Sequence, residues 1–155
     1  MDIDTASMDE VDDVVDLWVA LATDQRTHGS HLLGDRNRTA VRGAIVQRIV
    51  AENVLVARED GGLVGFVMVT VDGGRYEQDE RRGLLENIYV EPAARNRGIG
   101  SALLKAAEET LRSAGVDVIA LEAMAANDAA RRFYRSHGYE PHRVEFEKRT
   151  ENDTL

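Results

Sequence analysis

The sequence predicts an α/β fold, a mixed sheet with helices on its faces. Residues 84–124 read as strand, helix, strand, a unit that demands a parallel pair joined by a right-handed crossover. NVLVARED-GG-LVGFVMVTVD, residues 53–72, reads as two strands about a glycine turn, an antiparallel hairpin. Val11, Val14, Val15, Trp18 and Leu21 recur at helical spacing with acidic residues between them.

In order, Ile3 to Ala6 is a short first strand, and the acidic-spaced run after it a helix. Residues 23–38 are polar and irregular, and Thr39 to Ala51 form a second helix. The hairpin follows, then a charged loop at 73–83. LLENIYV, residues 84–90, is a strand stopped by Glu91-Pro92. Gly98 to Ala114 is a helix with Gly115 as its C-terminal cap. Residues 116–124 are almost continuously apolar, as expected of a strand buried on both faces. Asn127 or Asp128 caps a helix reaching Ser136. Tyr139 to Lys148 reads as a closing strand or hairpin. Repeats and linkers are absent, so residues 1–155 are expected to form one domain.

Composition narrows the function. The net charge of -9 argues against nucleic-acid binding, which needs a basic face. It suits a cationic substrate. The chain has no cysteine, so a thiolate nucleophile or cysteine metal site is excluded. The acidic start MDIDTASMDE has no apolar core of a secretory signal, and no run is long enough to span a membrane. A cytoplasmic location is expected. Only Lys105 and Lys148 are lysines among 19 basic residues. An acidic, lysine-poor chain suggests a salt-loving source or a GC-rich genome. His28 and His31 lie three apart, but no carboxylate or cysteine pattern completes a metal site around them.

The most informative stretch is RNRGIG, residues 95–100, between the strand and the helix. A helix N-terminus presents unpaired N–H groups and a partial positive charge, which suits an anion. Gly98 and Gly100 let a bulky anion approach the backbone, and Arg95 and Arg97 add charge. A pyrophosphate matches. The lysine of a P-loop and the third glycine of a Rossmann fingerprint are both missing.

The run matches R/Q-x-x-G-x-G/A, the coenzyme A pyrophosphate motif of the GNAT superfamily of acyl-CoA-dependent N-acyltransferases. A second motif, N-x-x-A-x-x-F-Y-x-x-x-G-Y, matches at Asn127, Ala130, Phe133, Tyr134, Gly138 and Tyr139. The sequence resembles that family strongly over residues 84–141. The resemblance implies splayed central parallel strands, with the pantetheine arm of acetyl-CoA filling the gap against Ile88, Tyr89 and Val90. The Ile88 N–H would face the thioester oxygen. Arg95, Asn96, Arg97, Gly98, Ile99, Gly100 and Ser101 would hold the pyrophosphate, and Asn127 would contact the cofactor.

The reaction the resemblance implies is acetyl transfer to a primary amine by direct attack in a ternary complex. A neutral amine is needed, so a base is useful. Glu86 lies two residues before Ile88, on the same face of a regular strand. It serves as the base, or it pairs with a nearby arginine. Glu122 is the alternative base. Tyr134 is implied as proton donor to the leaving thiolate, or it is a packing aromatic. Asn127 caps its helix, with or without a cofactor contact. Glu77, Asp79 and Glu80 lie in the loop before the fourth strand and would attract a cationic amine. The acceptor is a small amine or a protein N-terminus, and a homodimer is an expectation carried by the resemblance alone. The alternative function is a silent CoA-binding module.

Overall fold

The computed structural model, which describes residues 1–151, gathers the alternating runs into one five-stranded sheet. Its strands are β1 (Asp2–Thr5), β2 (Val54–Glu59), β3 (Gly62–Val71), β4 (Arg82–Val90) and β5 (Val118–Ala120), in that spatial order. The first three pairings are antiparallel and the last is parallel. The helices are α1 (Val11–Arg26), α2 (Arg38–Val50), α3 (Ile99–Ser113) and α4 (Asp128–Ser136).

Each helix is placed by its apolar stripe. In α1, Val11, Val14, Val15, Trp18 and Leu21 are buried against Ile45 and Ile49 of α2 and Val54, Val56, Phe66 and Tyr89 of the sheet. In α3, Ile99, Leu103, Leu104, Ala107 and Leu111 are buried against Leu55, Val67, Val69 and Leu85 on the opposite face. The sheet therefore separates two apolar layers.

The hairpin turn is Asp60-Gly61, one residue earlier than the glycine pair suggests. Both have positive φ, 52° and 80°, and Glu59 pairs with Gly62 across it. A two-residue turn with left-handed residues matches the twist of the strands it joins. Near the chain start, Glu10 is held by the Ser7 N–H at 2.9 Å and by two nitrogens of Arg58, each at 2.8 Å. Those bonds lower the Glu10 pKa to about 2, with the Arg58 hydrogen bond the main cause.

Two expectations fail at the C-terminal side. The strand at 116–124 shrinks to three residues, and Val118 is 41% exposed instead of buried on both faces. The reason is the sheet edge: no strand lies beyond β5 among the described residues. The closing strand or hairpin at Tyr139 to Lys148 is also not formed. That segment is exposed along its length from Glu140, and no ladder hydrogen bonds hold it. No helix is long and apolar enough to cross a membrane among the described residues.

Candidate functional site

β4 and β5 pair over three positions only, Arg82 with Val118, Gly83 with Ile119 and Leu84 with Ala120. Beyond Leu84 the two strands part, and β4 is paired on its β3 side alone. The Glu91 N–H donates to the Val64 carbonyl at 2.9 Å. Hydrogen-bonding positions alternate along an antiparallel pair. Tyr89 therefore bonds to β3, while the polar groups of Ile88 and Val90 face the opening. The Val90 carbonyl on that side accepts from Arg95 Nε at 2.8 Å.

At the end of this opening the chain makes a single helical turn at Pro92–Ala94 and then enters α3. Asn96 has φ 64° and Gly98, the residue capping α3, has φ 83°. The first bond of α3 runs from the Ala102 N–H to the Gly98 carbonyl. The six N–H groups from Asn96 to Ser101 have no acceptor among the described residues. Consecutive unpaired N–H groups around left-handed residues form an anion cradle. A Cβ on Gly98 would meet nothing within 4 Å, so φ, not space, is what requires glycine there. A Cβ on Gly100 would sit 3.5 Å from the Phe133 ring, which ties α4 to the cradle.

The two arginines of the loop are already engaged. Arg95 bonds to Val90 and lies over the Tyr89 ring, 5.3 Å from its centre. Arg97 Nη2 bonds to Glu59 at 2.6 Å, and that bond holds the Glu59 carboxyl below the usual carboxylate range. Glu59 closes β2 beside the hairpin turn. Sequence spacing gave no sign of this contact, because 38 positions separate its partners.

Glu86 does not share the face of Ile88. The β3–β4 register shifts at Met68/Val69, where Asn87 and Leu85 face consecutive β3 residues and Glu86 is the extra one. This bulge reverses the alternation. Leu85 and Ile88, which a regular strand would point to opposite faces, both pack on the α3 layer. Glu86 points to α2, where Arg48 Nε and Nη2 hold its two oxygens at 2.7 and 3.3 Å. Arg48 is a partner of Glu86 that no local sequence signal marks, because 38 positions separate the two.

Tyr134 lies on α4 between Phe133 and Tyr139, with ring centres 5.5 and 6.2 Å away. Burial pushes its pKa up to about 12. Asn127 caps α4 by accepting from the Ala130 N–H at 3.1 Å. Glu122 stands exposed past the end of β5, without a hydrogen-bond partner among the described residues. Glu77, Asp79 and Glu80 are exposed and make no ion pair among those residues. His31 bonds to Glu147 at 2.9 Å. The described residues hold no cluster of three or more potential metal ligands.

Residues 14–139 match the model of the acetyltransferase (GNAT) family. A mycothiol acetyltransferase of Sanguibacter keddieii is 34% identical over 89 residues, 57% of this chain and 28% of that protein. The chain spans at most 58% of the length of the first curated relatives it matches. The fold matches that of a mutant BH1408 protein from Bacillus halodurans, with TM-score 0.82, 19% identity and coverage of 96% and 99% of the two chains. It also matches an aminoglycoside N-acetyltransferase in complex with CoA, with TM-score 0.75, 20% identity and coverage of 96% and 94%.

Proposed function

Because this chain belongs to the GNAT acetyltransferase family, we propose that it transfers the acetyl group of acetyl-CoA to a primary amine by direct attack. The observation that supports this best is the open β4 edge ending in six unpaired N–H groups. A pantetheine arm offers amides to pair with such an edge, and a pyrophosphate suits such a cradle. The acceptor is a small amine or a protein N-terminus.

The residues divide the work by position. The N–H groups of Asn96 to Ser101 bind the pyrophosphate, aided by Arg97. Ile88 and Val90 align the arm, and the Ile88 N–H donates to the oxygen that gains charge during attack. The thioester supplies the acyl group and a leaving thiolate. Tyr134 hydrogen-bonds to that sulfur. With a pKa near 12 against about 8.5 for a thiol, full proton transfer is uphill by roughly 5 kcal/mol. Tyr134 therefore delivers its proton only as another is lost from the attacking nitrogen.

Glu86 accepts the nitrogen's proton through water, held in one orientation by Arg48. After attack the nitrogen is far more acidic, so the transfer belongs to that stage. The Arg48 tie favours a second reading, a CoA-binding module without turnover. Thiol release from acetyl-CoA across a panel of amines separates the two. Turnover on at least one amine supports transfer. Tight CoA binding with no turnover on any would support the module.

A further inference from the structure

Between the buried residues Ala94 and Ile99 the chain crosses the surface in the shape that makes the cradle. Asn96 and Gly98 are left-handed there, a conformation that costs free energy for a residue with a Cβ. Neither the N–H nor the carbonyl of Asn96 or Arg97 has a hydrogen-bond partner among the described residues. The loop therefore does not hold its own shape through its backbone. Two of its tethers come from the β2–β3 hairpin instead. The Val64 carbonyl accepts from the Glu91 N–H at 2.9 Å, where the chain leaves β4. Glu59 takes Arg97 Nη2 at 2.6 Å, between the two left-handed residues. Glu59 is a fixed anchor, since it pairs with Gly62 across a two-residue turn and its side chain is 21% exposed.

We propose that Glu59 is a positioning residue for coenzyme A. Through Arg97 it holds the loop in the shape that aims the Asn96 to Ser101 N–H groups at the pyrophosphate. The inference rests on the acyl-CoA reading of the cradle. Glu59 itself touches no reacting atom. As a bare charge, a carboxylate beside an anion site repels the ligand. As a partner of Arg97, it competes with the pyrophosphate for that guanidinium. On either of those grounds, removing Glu59 would strengthen CoA binding. Positioning has the opposite sign. Without its tether the loop spreads over shapes that do not bind, and apparent affinity falls with the fraction that does.

Calorimetric titration of the full chain with CoA reads the sign. Glu59→Ala should raise the Kd on the order of five- to tenfold. Glu59→Gln, whose amide oxygen can still accept from Arg97, should raise it only about twofold. Arg97→Ala should also weaken binding. Adding Glu59→Ala to it should change nothing further, because Glu59 acts through Arg97. Trypsin reads the loop with no ligand present. Cleavage at the Arg95–Asn96 bond should be several-fold faster in Glu59→Ala, and cleavage after Arg75, in the exposed loop at 73–83, unchanged. Unchanged far-ultraviolet dichroism checks that each variant is folded. A Kd that is unchanged or lower in Glu59→Ala overturns the proposal. So does a Glu59→Gln that binds no better than Glu59→Ala, a further loss in the double variant, or an unchanged rate at Arg95–Asn96. A wild-type chain without CoA affinity overturns the acyl-CoA reading and this proposal together, whereas an unaffected Glu59→Ala overturns this proposal alone.

Discussion

At Gly98 one residue decides both shape and charge. Its φ of 83° is costly for any side chain, by roughly 1–2 kcal/mol, and a carboxylate there would face the anion cradle. Gly98→Glu should raise the Kd for CoA by at least about tenfold in calorimetry, with a small loss of stability. Normal affinity would remove the pyrophosphate from this loop. Tyr134→Phe removes a hydroxyl and little packing. It should lower kcat by roughly ten- to a hundredfold with CoA affinity nearly unchanged. An unchanged kcat would leave Tyr134 a packing residue. The residue scale is also where the sequence was most and least legible. RNRGIG carries its chemistry locally, in two glycines and a helix start. The partners of its arginines, and of Glu86, come from distant strands and helices, and no spacing rule reaches them.

The elements show why periodicity succeeded for the helices and failed in several strands. The α1 and α3 stripes are long, and each is matched by a buried sheet face. The bulge at Glu86 breaks the two-residue period without any glycine or proline to mark it. The apolar run at 116–124 resembles a buried strand in composition, but its outer edge has no neighbour. The link between the first helical turn and β2 is electrostatic and gives a pH signature. The Glu10 pKa, lowered from 4.5 to about 2, means that the folded state prefers the ionised form. Its contribution is complete above about pH 4.5 and is lost as the pH falls from there toward 2. With Arg58 29% and Glu10 16% exposed, it is worth about 2–3 kcal/mol. Glu10→Gln should therefore lose about that stability to urea at pH 7 and almost none near pH 2. An equal loss at both would assign Glu10 to packing.

Across the whole molecule, acidic residues outnumber basic ones by nine. Several arginines are tied to exposed carboxylates, Arg38 to Asp16 and Asp35 and Arg42 to Asp12 among them. Such pairs contribute little, so the excess negative charge repels itself. Raising KCl from about 0.05 to about 1 M should raise the Tm by several degrees as this repulsion is screened. A Tm that does not move would show that the charge is spread too widely to matter, and would end the salt-loving reading.

The hairpin tip adds a practical consequence. Loop tips are where a tag or a fluorescent label is normally inserted without harm. Here the residue just before the tip, Glu59, grips Arg97 on the loop that opens α3. A label spliced between Asp60 and Gly61 should therefore alter the apparent affinity for acetyl-CoA. A probe placed there would report on binding while also disturbing it.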